Sequence, residues 1–114
     1  METSYKTLMT ETGGQLRHLR KSQPDMMNAF HAMGQASMGA GVLDAATKEL
    51  IAIAIAVAGR CDACIGYHVK GFIEKGGTRE QLDETLSVAV YMGGGPSLMY
   101  AAAALKAHDE LTTV

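Results

Sequence analysis

Apolar residues in this chain fall into blocks divided by short polar or glycine-rich breaks, and the spacing inside most blocks is helical. In "PDMMNAFHAMGQASM", Met26, Met27, Phe30 and Met33 recur at the intervals that line one face of a helix. Pro24, after Ser22 and Gln23, marks its start, because a first-turn proline has no intrahelical donor to lose. "GAG" at Gly39 to Gly41 ends it. Asp44 then stands as N-cap to "AATKELIAIAIAVAG". The run "IAIAIAV" alternates as a strand would, yet every member is apolar, so period alone does not decide. Alanine is the best helix former and a poor strand former, and the segment runs from a cap to Gly59, so it reads as a helix. A helix that is apolar nearly all round must be covered on most sides. A short chain has few elements to cover it, which points to burial against other subunits.

The next helix runs from about Cys61 to Lys75 and stops at Gly76-Gly77. Thr78, with Gln81 three residues on, forms a capping box opening "REQLDETLSVAVYM". Gly93-Gly94-Gly95 breaks the chain, and Pro96 starts a last helix through "LMYAAAALKAHDEL". Before Gln15, the pair Gly13-Gly14 predicts at most short helical pieces. The pattern is all-α: a compact domain of about five to six helices, with no strand, linker or internal repeat. At 114 residues, positions 1–114 make one domain.

Composition narrows the class. Apolar residues make up 47%, charged residues 19% and aromatics 5%, as in a globular chain with a helical rather than aromatic-rich sheet core. The net charge is −2, and "RHLRK" at Arg17 to Lys21 is the only basic cluster, so nucleic-acid binding is not expected. The N-terminus "METSYKTLMTETGG" lacks the features of a signal peptide. The longest apolar run, Leu50 to Gly59, is about half of what a bilayer requires. The expectation is a cytoplasmic protein with no membrane partner. In a reducing cytosol a lone CxxC is redox-active or metal-binding rather than a staple.

That CxxC is "CDACIGYHVKG", which holds both cysteines of the chain. At about 100° per residue, Cys61, Cys64 and His68 fall within about 60° of one another on a helix. Cys64 and His68 are i, i+4 neighbours, so their side chains meet. A helix N-terminus favours the thiolate, which is the nucleophile, and a neighbouring imidazole takes the thiol proton. Glu49 lies too far along a straight helix to reach Cys61. If the chain folds back at Gly59 as an antiparallel hairpin, however, Glu49 and His68 stand at matching heights on its two arms. A carboxylate opposite an imidazole orients it and tunes its basicity. The same four residues are also acceptable zinc ligands, although structural zinc usually draws ligand pairs from separate segments. The blandest reading makes the cysteines small buried hydrophobes.

The remaining candidates read as structural. Tyr67 points away from the His68 face and reads as packing, Arg60 as a cap on the preceding helix, and the methionines as core or interface filler. "GGGP" reads as a turn, and His18, His31 and His108 carry no assigned role.

The spacing E-x11-C-x2-C-x3-H, met here by Glu49, Cys61, Cys64 and His68, resembles the active-site motif of the alkylhydroperoxidase D-like proteins, within the carboxymuconolactone decarboxylase superfamily. The resemblance extends through the flanks, over roughly Asp44 to Leu105. It implies an all-α fold with the site on a helical hairpin, assembling as a homotrimer or homohexamer. It also implies a peroxiredoxin-type oxidoreductase, a thiol-dependent alkyl hydroperoxide reductase serving antioxidant defence. Carried over, Cys64 attacks the peroxide, Cys61 resolves the sulfenic acid to a redox-active disulfide, and Glu49 and His68 form the proton relay. No cofactor is implied beyond that disulfide and an external dithiol reductant, lipoyl- or thioredoxin-like. Better-characterised members carry a histidine immediately before the second cysteine. Here that position is Ala63, with Asp62 before it, a carboxylate that raises thiol pKa values by like-charge repulsion. Members of the family that decarboxylate lactones typically lack the cysteine pair; a decarboxylase acting on a small lactone or acid is the alternative, beside a zinc-bound structural module.

Overall fold

The computed structural model describes residues 4–112, so positions 1–3 and 113–114 of the expected domain lie outside the described residues. Six helices follow one another: α1 (Tyr5–Ser22), α2 (Pro24–Met38), α3 (Ala45–Ala58), α4 (Asp62–Glu74), α5 (Arg79–Gly93) and α6 (Gly95–Thr112). There is no strand among the described residues, as the apolar spacing predicts.

The core lies between α3, α4, α5 and α6. Ile53 and Val57 of α3, Ile65, Val69 and Phe72 of α4, and Leu82 of α5 have no exposed surface. Each such side chain contributes roughly 1.5–3 kcal/mol through burial. From α6 the contribution is small residues, Ala101, Ala104 and Ala107, which let that helix approach closely. The predicted caps are in place: the Asp44 carboxylate accepts from the Thr47 N–H at 2.7 Å, and Thr78 and Gln81 form the reciprocal capping box.

α3 and α4 form the expected antiparallel hairpin. Its bend differs in detail from the expectation. Gly59 stays right-handed at φ −82°, and Arg60 takes the left-handed conformation at φ 56°. Arg60 thus ends α3 by its backbone, its N–H donating to the Val57 carbonyl. Between α5 and α6, Gly94 supplies φ 74°, a conformation that a side chain would strain.

α1 corrects the reading of Gly13-Gly14 as a break: the helix is continuous from Tyr5 to Ser22. Each internal glycine costs about 1 kcal/mol relative to alanine. Contacts from distant parts of the chain offset that cost. Ser4 caps the helix, the Tyr5 N–H donates to Glu110 Oε1 at 2.6 Å, Tyr5 is buried, and the Tyr67 hydroxyl donates to the Met9 carbonyl at 2.9 Å. Tyr67 is therefore a packing residue, as expected, and what it pins is α1.

α2 has no fully buried residue, and with α1 it lines an open apolar groove of about 620 Å³ that includes Leu16, Met26, Phe30 and Met38. α3 is covered on one side only; Ile51 and Ile55 on its other side are exposed.

Candidate functional site

The site begins at the N-terminus of α4. Cys61 is the N-cap residue, and its Sγ accepts from the Cys64 N–H at 3.3 Å. Cys64 sits in the first turn, and the two sulfurs are joined as a disulfide across a sequence separation of three. Cys64 is exposed, while Cys61 is partly buried. The positive end of the α4 dipole therefore lies against both sulfurs and favours negative charge on either when the pair is reduced.

One turn further along, His68 Nδ1 lies 2.7 Å from Glu49 Oε1 on the opposing arm of the hairpin. The fold-back symmetry about Gly59 thus brings Glu49 and His68 together. Glu49 belongs to an apolar helix and is only 5% exposed, so its carboxylate is not a solvated surface charge. With Glu49 as a carboxylate, which only accepts hydrogen bonds, Nδ1 would be the donor and Nε2 would be left as an acceptor.

The pattern did not single out Lys75. Its Nζ lies 2.8 Å from Glu49 Oε2, so the buried carboxylate is held between an imidazole and an ammonium. Spacing carries a signal for it: Lys75 follows His68 by seven residues, two helical turns, and so returns to the same face. Between the two lies Gly71. A Cβ there would stand 2.6 Å from Glu49 Oε2, so the absent side chain is the notch into which the carboxylate fits.

Asp62 is also placed. Its Oδ1 accepts from the Tyr5 hydroxyl at 3.3 Å, which ties α1 to the cysteine turn. Burial first, then the Asp62 charge, pushes the Tyr5 phenol well above its ordinary range, so it remains a donor. His108, assigned no role, is buried and lies 3.0 Å from Arg79 Nη1, a link between α5 and α6 remote from the cysteines in sequence.

Among the described residues no three His, Cys, Asp or Glu side chains gather as a metal site. The four candidate zinc ligands are arranged otherwise, with sulfur bonded to sulfur and both Glu49 oxygens engaged by nitrogen.

Fold and site define an all-helical protein in which one hairpin carries a cysteine pair and a carboxylate–imidazole pair. The chain belongs to the carboxymuconolactone decarboxylase family, whose model matches residues 24–107. It is 48% identical to a carboxymuconolactone decarboxylase family protein from Legionella pneumophila, solved in the apo form, with a TM-score of 0.94 over 96% of this chain and 97% of that one. A second solved member, from Thermotoga maritima, is 27% identical with a TM-score of 0.81, over 90% of this chain and 88% of that one. For that protein a part in the antioxidative response has been suggested. An uncharacterised protein of Cupriavidus necator is 44% identical over 97% of this chain and 98% of its own length.

Proposed function

We propose that the protein is a thiol-dependent hydroperoxide reductase and disulfide oxidoreductase of the cytoplasm, active as a homotrimer or homohexamer. The observation that carries the reading is the 2.7 Å contact between Glu49 Oε1 and His68 Nδ1, on the helix that carries Cys64 one turn earlier, which leaves Nε2 to serve as the base. In the reduced protein His68 Nε2 takes the Cys64 proton. The thiolate attacks the terminal oxygen of a hydroperoxide; the O–O bond breaks, giving the Cys64 sulfenic acid and, after protonation, an alcohol. The Cys61 thiol then displaces hydroxide from that sulfur, and water leaves as the disulfide forms. An external dithiol, lipoyl- or thioredoxin-like, reduces the pair by exchange and is itself oxidised to a disulfide. Exposure of Cys64 and partial burial of Cys61 suit the attacking and resolving roles in that order. No cofactor is needed for these steps. The antioxidative role suggested for the Thermotoga relative agrees with the reading.

The test is a thiol count on reduced protein before and after one equivalent of an alkyl hydroperoxide. Two thiols per chain should disappear and return with a dithiol, and Cys64→Ser should abolish peroxide turnover. Full turnover by Cys64→Ser, or activity toward a small lactone that survives loss of both cysteines, would overturn the proposal.

A further inference from the structure

Glu49 is nearly enclosed, yet two cation-capable groups reach it, one on each oxygen. His68 uses Oε1 and Lys75 uses Oε2, and both belong to the face of α4 that carries Cys64. We propose that Lys75 is a positioning residue of the thiol site, which sets the tautomer of His68 by compensating the buried charge of Glu49. The inference rests on the reading of Cys64, His68 and Glu49 as a proton relay.

Burying an unpaired carboxylate is costly, and such a group avoids the cost by taking up a proton. As a carboxylic acid, Glu49 would have a proton to donate to Nδ1, and His68 would then carry its own proton on Nε2. An Nε2–H is unable to accept the Cys64 proton. As a carboxylate, Glu49 accepts from Nδ1–H and Nε2 becomes the base. The ammonium of Lys75, 2.8 Å from the second oxygen, holds the arrangement in the second form. His68 alone does not serve this end, because its own charge changes as it takes and gives the proton, whereas Lys75 takes no part in that transfer.

The local structure is built for this contact. Lys75 is the C-cap residue of α4, and its N–H donates to the Gly71 carbonyl at 3.1 Å, which fixes where its side chain starts. Gly71 is the missing side chain that lets the carboxylate lie between His68 and Lys75. Lys75 remains 36% exposed along its side chain, so the ammonium keeps part of its hydration while one of its protons is committed to Glu49.

The test reads the reduced protein without peroxide. The alkylation rate of Cys64 by iodoacetamide at neutral pH is followed by mass spectrometry in wild type, Lys75→Met, Lys75→Arg, Glu49→Gln and the double variant Glu49→Gln/Lys75→Met. Lys75→Met should slow alkylation about tenfold, and Lys75→Arg, which keeps the cation, should stay within about twofold of wild type. In the Glu49→Gln background Lys75→Met should change the rate by less than about twofold, because the carboxylate it serves is gone. A direct effect of the lysine charge on the sulfur would persist in that background and would overturn the proposal, as would a Lys75→Met rate equal to wild type. A second measurement needs no variant to fold: ¹⁵N-correlated NMR of His68 in the reduced wild-type protein should show the Nδ1–H tautomer, and an Nε2–H form overturns the inference outright. If hydroperoxide turnover is absent but the lysine and tautomer results hold, it is the peroxidase reading that fails.

Discussion

Gly71 decides how closely α4 approaches the Glu49 carboxylate. A Cβ at this position would meet Oε2 at 2.6 Å and the carboxyl carbon at 2.9 Å, so the acid would have to swing out of its notch. Alanine is otherwise favoured over glycine in a helix by about 1 kcal/mol. The two effects oppose each other, and the clash falls on a buried ion pair with little freedom to move. Gly71→Ala should therefore lower stability by about 1–3 kcal/mol in urea unfolding, the range for overpacking; a gain in stability would show that the carboxylate has room. Asp62 is the second decisive residue. Its carboxylate lies between the two cysteines in sequence, and one oxygen is engaged by the Tyr5 hydroxyl. Asp62→Asn removes like-charge repulsion, so the reduced pair should alkylate faster at neutral pH. A slower rate would mean that the carboxylate acts on the sulfurs in some other way. Glu49 and His68 were legible as partners because hairpin symmetry depends only on where the chain turns. Lys75 was legible only as a residue on the His68 face; its part depends on a carboxylate fitting the notch at Gly71, which the sequence does not display.

At the scale of elements, helix ends were legible wherever their signal is local. Asp44 and Thr78 cap three residues ahead, and both caps are where the sequence places them. Thr78→Ala should cost about 1 kcal/mol of stability by chemical denaturation, a typical loss for a capping hydroxyl. α1 was not legible, because what holds it together comes from residues 57, 58 and 105 positions away, at Asp62, Tyr67 and Glu110. The α5–α6 contact is of the same long-range kind and has a pH signature. Burial first, then the Arg79 cation, pushes the His108 imidazole below its ordinary value, with Asp109 and Asp83 opposing. The unfolded chain therefore binds this proton at higher pH than the folded one does. The stability linked to His108 is present above the ordinary histidine value of about 6.5 and is lost as pH falls from there through the depressed folded value. Urea midpoints should drop between pH 7.5 and pH 5, and His108→Gln should shrink the drop. An equal drop in the variant would assign it to other groups.

At the scale of the whole molecule, the apolar excess of α3 is resolved only in part by the fold. Ile53, Ala56 and Val57 are covered by the chain itself, but Ile55 is 67% exposed. With Val88 of α5 it lines an open apolar groove that also includes Leu50, Ile51 and Ala54. Tyr91 and Met92 continue α5 as exposed apolar residues at 86% and 76%. Patches of this kind on a chain of 114 residues mark contact surfaces rather than solvated ones. A second copy is the occupant that fits the sequence argument, since a helix apolar on both sides needs cover that six helices do not supply. The mass in sedimentation should be three or six times the 12.1 kDa of the chain. Ile55→Glu with Val88→Glu places charge in that groove, where burial against a neighbour would be costly, and should reduce the mass to that of one chain. Both residues lie outside the Glu49–His68–Lys75 contact, so dissociation should leave Cys64 alkylation in the reduced protein close to wild type. A wild-type protein that sediments as a single chain would remove the assembly, and with it the reason for an α3 that its own fold leaves half uncovered.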